Sequence, residues 1–252
     1  MDAPVGECVG RPFDLVVFLL SSRTQDDNTN KTLRRAYDRL VPWSNFVTDK
    51  FIAPEMSQFT SATLPDLSAI DSEQEFWLAN YILNSILRVN IQTPERQRLF
   101  NFLRRSHSAF EEYAAARELT LTYLANPEGK LSYLKAMGHW EALLGYMWQA
   151  FRLILPGKFG KLYEKGEESF FERLNSLYNM SKHVDGAILD GKYFEDSPLC
   201  VWLTNDGLKS TDELLTFEEI VETLTQLAHL AAAVQDPLTM IDKITELFPT
   251  TP

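Results

Sequence analysis

Apolar side chains recur every three to four positions through most of the chain, the spacing that places them on one face of an α-helix. Proline, glycine and clusters of polar residues interrupt these runs, and such residues end helices or form loops. The pattern predicts helices over about 32–41, 72–87, 94–125, 127–155, 166–183 and 216–235, and a last short helix ending near Phe248.

Four of the predicted helices begin with a recognisable start signal. Two have the spacing of a capping box, in which each of two residues bonds the backbone N–H of the other. Two others combine an N-cap residue with a proline in the first turn. These signals are Ser72 with Glu75, Thr216 with Glu219, Thr93-Pro94 and Asn126-Pro127.

The helix predicted over 127–155 is apolar on most of its circumference, which is typical of a helix at the centre of a core. We therefore expect it to be the most buried helix, with Trp140, Leu144 and Trp148 in the core. Pro156-Gly157 should end it.

Two segments lack the helical pattern. Residues 53–71 are rich in proline, serine and threonine and predict an extended connection. The short runs from Gly186 to Thr204, around the turn signal Asp190-Gly191, predict a small hairpin or irregular strands. The whole pattern predicts an all-α fold, a helical bundle with long central helices and a small β-hairpin excursion before the penultimate helix. We expect a single helical domain over 1–252, with 1–71 its least defined part.

Composition places the chain among globular proteins, with 45% hydrophobic and 12% aromatic residues. Its longest apolar run, Leu15 to Leu20, is far too short to span a bilayer, and Arg11 and Asp14 beside it do not fit a signal peptide. Cys8 and Cys200 make neither a disulfide framework nor a metal knuckle. A cytoplasmic protein without a membrane segment is expected.

Charge is distributed unevenly along the chain. Residues 161–252 carry seven Lys and Arg against 17 Asp and Glu, a net charge of −10, whereas the whole chain carries −11. Because cationic side chains supply most nonspecific affinity for nucleic acid, binding of RNA or a nucleotide by the C-terminal part is disfavoured. Six arginines interleaved with glutamates predict a solvated, salt-bridged helix face; they are Arg88, Arg96, Arg98, Arg104, Arg105 and Arg117.

Recognisable chemistry is sparse. The chain has no Walker loop, nucleotide-binding glycine triplet, nucleophile elbow or paired metal-ligand motif. We therefore expect no cofactor and no metal. Of the four histidines, only His183 has a neighbourhood that suggests a site. Asn179 lies four residues before it at the end of a predicted helix, and this spacing places the amide and the imidazole on one face.

Asn179-x-x-x-His183, in a mostly helical chain, resembles the motif of the HEPN superfamily, whose name refers to nucleotide binding in higher eukaryotes and prokaryotes. The Trp202–Gly207 strand and turn, followed by a helix opening with Phe217-Glu218-Glu219, resembles the end of bacterial HEPN-like proteins. The resemblance covers about 130–235. It implies a helical bundle, often dimeric, and many members are ribonucleases of bacterial toxin–antitoxin, abortive-infection and CRISPR systems.

The family motif places an arginine before the asparagine, and this chain has Tyr178 there. Arg173 is ten residues before His183, roughly 15 Å along a helix and about 80° away around it. Lys182 points about 100° away from His183. The family arginine would stabilise charge on a phosphate while the histidine moves a proton, so Asn179 and His183 alone predict a weak catalyst.

Four interpretations stay open. Asn179 and His183 could have a scaffold role, with the imidazole near the helix carbonyls and the amide fastening the adjoining loop. The chain could be a noncatalytic HEPN-like protein that binds a second copy, a partner protein or a nucleotide. It could be a divergent, metal-independent HEPN ribonuclease, with Arg173 or Lys182 delivered in trans to His183. It could also be an unrelated helical adaptor.

Overall fold

Helices dominate the described part of the chain, which comprises residues 45–154, 162–194 and 197–235 of the computed structural model. From Val47 onward these residues belong to one compact unit. The helices predicted near Thr32 and before Phe248 lie outside the described residues, as does the stop predicted at Pro156-Gly157. The predicted fold class, an all-α bundle with a small β excursion, is confirmed.

The elements follow one another in a simple order. A helical segment over 45–51 and a 3₁₀ turn at Met56–Gln58 precede the first long helix. The helices are α1 (Ser68–Tyr81), which continues as a π-helix (Ile82–Arg88), α2 (Glu95–Ala125), α3 (Lys130–Ile154), α4 (Phe170–Lys182), α5 (Val184–Leu189) and α6 (Phe217–Val234). Three short strands lie between α5 and α6: β1 (Trp202–Leu203), β2 (Gly207–Lys209) and β3 (Leu214–Thr216).

The core lies between α2, α3, α4 and α6. Trp140 of α3 is completely buried, its indole N–H donates to the Thr120 hydroxyl at 3.0 Å, and its ring contacts Tyr113 and Phe217. Leu144 is also completely buried, as predicted, whereas Trp148 is half-buried. Trp148 lies near the end of α3, where the helix borders an open groove.

The start of α6 is the sequence prediction that the structure matches in most detail. The Thr216 hydroxyl accepts from the Glu219 N–H at 3.2 Å, and the Glu219 carboxylate accepts from the Thr216 N–H at 3.0 Å. Both bonds of the predicted capping box are present.

Two other predicted start signals are wrong, and the third, Thr93-Pro94, is displaced by one residue. Helix α1 begins at Ser68, so Ser72 lies inside it, and its first turn is preceded by Asp66, whose carboxylate accepts from the Ser68 N–H at 2.9 Å. Pro94, not Thr93, is the N-cap residue of α2. Asn126 ends α2 with its own N–H, which bonds the carbonyls of the preceding turn, and α3 begins only at Lys130.

The strands occupy a later stretch than the predicted Gly186–Thr204. Residues around Gly186 form the short helix α5, and Gly191 follows with a φ of 67°. β1, β2 and β3 form an antiparallel meander, with Leu208 opposite both Leu203 and Leu215. The extended connection predicted over 53–71 extends only to Leu67 and contains the 3₁₀ turn.

Within the described helices, none combines the length and apolar character needed to cross a membrane.

Candidate functional site

The motif helix α4 lies between two open surfaces, and Asn179 borders both. One surface, here called the motif pocket, has a volume of about 490 Å³ and contains Asn179 and His183 in its lining. The other, here called the cationic groove, has a volume of about 470 Å³ and is lined by side chains of α2, α3 and α4. The shared patch predicted for Asn179 and His183 is therefore confirmed.

The geometry at the end of α4 comes from backbone bonding. The His183 N–H donates to the Asn179 carbonyl at 2.9 Å and closes the last turn. At His183 the backbone leaves the helical region, with φ −114° and ψ 52°, and α5 begins at the next residue. This break turns the imidazole towards the motif pocket, while the preceding Lys182 lines the cationic groove.

Within the described residues, neither motif side chain is bonded to a loop. Asn179 and His183 are both exposed, and within the described part of the chain neither side chain forms a hydrogen bond or an ion pair. The predicted role of the Asn179 amide as a loop fastener therefore has no support among the described residues. The connection to the strands is made instead by Cys200, whose buried thiol lies 3.6 Å from the Met180 carbonyl.

Arg173 has a structural role far from His183. Its guanidinium forms a two-point ion pair with the Glu219 carboxylate, at 2.5 and 3.1 Å, and donates to the Leu214 carbonyl at 2.6 Å. These bonds join the first turn of α4 to β3 and to the capping box of α6. The same guanidinium holds the pKa of Glu219 below its ordinary value. Arg173 lines neither open surface.

The motif pocket is more acidic than basic. Among its described lining residues are four carboxylates, Glu172, Asp190, Asp212 and Glu213, and two lysines, Lys165 and Lys192. Lys192 is paired with Asp190 at 3.1 Å. The pKa of Glu213 is raised by its partial desolvation, and Arg173 only partly offsets this. Backbone N–H groups of Gly166 and Glu168 lower the pKa of Glu172.

The cationic groove has the opposite character. Its described lining residues include Arg105 of α2, Arg152 of α3 and Lys182 of α4, and no carboxylate. The Arg105 guanidinium lies over the Tyr146 ring at 5.3 Å, and the Lys182 ammonium lies over the Tyr178 ring at 5.5 Å. The amides of Asn101, Gln149 and Asn179 complete the polar lining.

This groove was not predicted from the sequence. Arg105 was assigned to a salt-bridged helix face, but none of that face's six arginines forms an ion pair with a described carboxylate. The neighbouring Arg117 instead donates to the Leu64 carbonyl at 2.9 Å. A sequence signal that could have indicated the groove is the polar pair Gln149 and Arg152, three residues apart in the largely apolar second half of α3.

In the described residues, no three His, Cys, Asp or Glu side chains lie close enough to hold a metal ion. No family model matches the chain, and no curated protein or solved structure matches it. The resemblance to HEPN proteins therefore stays a prediction.

Proposed function

We propose that the protein is a noncatalytic, HEPN-like binding protein that does not cleave RNA by itself. The observation that carries the proposal is the ion pair between Arg173 and Glu219, which commits the nearest upstream arginine to the fold. Charge that develops on a phosphate during cleavage needs a positioned cation or hydrogen-bond donor. Among the described residues that line the motif pocket with His183, none is an arginine.

The electrostatics of the motif pocket support the same conclusion. Four carboxylates against two lysines, one of them already paired, make the pocket unfavourable for a polyanion such as RNA. Lys182, the remaining cation next to the motif, lies over the Tyr178 ring on the groove side of α4. A histidine that donates or accepts a proton catalyses RNA cleavage poorly when no cation stabilises the charge on the phosphate.

Exposed apolar side chains next to the motif support a protein partner. Three residues of the six-residue helix α5 are exposed, Val184 at 42%, Ile188 at 59% and Leu189 at 87%. Large exposed apolar side chains in one place are typical of a surface that another protein covers. A second copy of the chain is the simplest partner.

The proposal is tested by incubating the purified protein with total RNA and with tRNA, beside the variant His183→Ala. We expect neither protein to cleave either substrate. The matched control is His229→Ala, because His229 is an exposed histidine on α6 that lines neither surface. Cleavage that the His183 variant loses and the His229 variant keeps would contradict the proposal.

Sedimentation velocity of the same preparations completes the experiment. A ribonuclease that receives Arg173 or Lys182 in trans requires a homodimer, whereas a noncatalytic binding protein does not. A dimer without cleavage would support binding to a second copy. A dimer that cleaves RNA would show that the second copy completes a catalytic site.

A further inference from the structure

Three cations that are far apart in the sequence converge on the cationic groove. Arg105 comes from the middle of α2, Arg152 from the end of α3 and Lys182 from the end of α4. The three helices hold these side chains around a space of about 470 Å³, within the roughly 300–1,000 Å³ common for small-ligand sites.

None of the three cations has a carboxylate partner among the described residues. Three other cations do have a carboxylate partner: Arg173 binds Glu219, Lys192 binds Asp190 and Lys209 binds Glu55. Like charges around one groove repel each other unless an anion lies between them. Three cations without a described carboxylate partner give the groove a positive potential, which favours the binding of an anion.

We propose that the cationic groove binds a small anion carrying two or more phosphate groups. Guanidinium groups present a planar fork of donors that matches phosphate oxygens, and an ammonium adds a compact positive charge. The amide of Gln149 supplies a further donor, whereas the Asn101 amide already donates to the Gln97 carbonyl at 2.8 Å. Half-buried Trp148 forms one side of the groove and gives a flat apolar surface beside the charges.

The surroundings favour a compact anion over a long one. Asn179 separates the groove from the motif pocket and its four carboxylates, so a strand of RNA leaving the groove on that side would meet repulsion. The net charge of −11 adds to this effect over longer distances. Within the groove, salt screens that field beyond about 8 Å, so the three nearby cations dominate.

This inference rests on the proposed binding function, because it names a ligand class for the groove side of the motif helix. The two are separable by experiment. RNA cleavage depends on His183 in the motif pocket, and phosphate binding depends on Arg152 and Lys182 in the groove. RNA cleavage would contradict the proposed noncatalytic function but would not bear on phosphate binding in the groove. Failure to bind phosphates would contradict only the proposed phosphate site.

The test is a calorimetric titration of the full chain at low salt with sodium triphosphate, with ATP and with a short single-stranded RNA. We expect triphosphate or ATP to bind with a Kd below about 1 mM. Arg152→Gln and Lys182→Gln should each weaken binding roughly tenfold, because each removes one charge-assisted contact. Both side chains are exposed, so the variants should fold, and circular dichroism checks this.

Two charge-matched controls lie outside the groove. Lys135→Gln removes an exposed lysine from α3, about 25 Å along the helix from Arg152, and Arg88→Gln removes an exposed arginine. Both should bind like the natural chain. The proposal is overturned if neither triphosphate nor ATP binds, if the groove variants bind as tightly as the controls, or if only the RNA binds.

Tighter binding of ATP than of triphosphate would identify a nucleotide as the source of the phosphates, with Trp148 contacting the base. Equal binding would identify the phosphate groups alone as the recognised feature. Either result supports the proposal.

Discussion

At the scale of single residues, the end of α4 separates opposite environments over a very short distance. Lys182 and His183 are consecutive, yet Lys182 lines the cationic groove and His183 lines the acidic motif pocket. The backbone leaves the helical region at His183, with φ −114° and ψ 52°, and this break accounts for the separation. A substitution at either position should therefore change one surface and leave the other intact.

The exposure of the motif side chains predicts that they contribute little to stability. Asn179→Ala and His183→Ala should each change the free energy of unfolding by less than about 0.5 kcal/mol, because neither removes a side-chain hydrogen bond. Thermal unfolding followed by circular dichroism should show midpoint shifts within roughly 2 °C.

Leu177→Ala on the same helix is the matched control. Leu177 is completely buried, and its truncation should cost about 2–5 kcal/mol. Loss of more than about 1 kcal/mol in both motif variants would restore a scaffold role for the pair.

At the scale of elements, the sequence predicts those features that depend on residues close together in the chain. The capping box of Thr216 and Glu219 lies within four residues, and both bonds form as predicted. Asn126 fits the start of one helix and the end of another equally well, and the tertiary structure uses it to end α2. The strands were misplaced because their pairing depends on Leu208 meeting two partner strands, which alternation alone does not reveal.

Gly207 is the residue on which the β excursion depends. A Cβ there would lie 1.9 Å from the Leu215 carbonyl oxygen, because β2 and β3 approach each other closely at this point. Gly207→Ala must therefore move backbone, and we expect a loss on the order of 3 kcal/mol or more in chemical denaturation.

Gly138→Ala is the opposite case in the same protein. Gly138 lies inside α3, and a Cβ there would meet nothing within 4 Å. Alanine should stabilise the helix by about 0.5–1 kcal/mol. Equal effects of the two substitutions would show that the close approach of β2 and β3 is not maintained in solution.

At the scale of the whole molecule, both open surfaces arise from residues that are distant in the sequence. Arg105, Arg152 and Lys182 lie on three helices, and no local pattern relates them. The sequence predicted correctly that Asn179 and His183 share a surface, because one helical turn relates them. The ion pair of Arg173 with Glu219, 46 residues away, could not be predicted because it depends on how α4 packs against β3 and α6.

That ion pair makes the stability of the whole fold sensitive to acid. Arg173 lowers the pKa of Glu219 below its ordinary value of 4.5, so the contribution of this carboxylate is fully present above pH 4.5. It is lost as the pH falls through the lower pKa of the folded state. Glu219→Gln should therefore cost about 1–3 kcal/mol at pH 7, and the difference from the natural chain should shrink below pH 4.5.

Urea denaturation of both proteins at pH 7 and in steps below pH 4.5 measures this difference. Glu218→Gln is the matched control, because Glu218 is an exposed neighbour in the same turn of α6, and its effect should stay below about 0.5 kcal/mol. If the stability lost on Glu219→Gln does not depend on pH, the negative charge of Glu219 does not contribute. Its packing and its hydrogen bonds would then account for its effect. In that case charge would not hold Arg173 away from His183, and the proposed noncatalytic function would lose its main support.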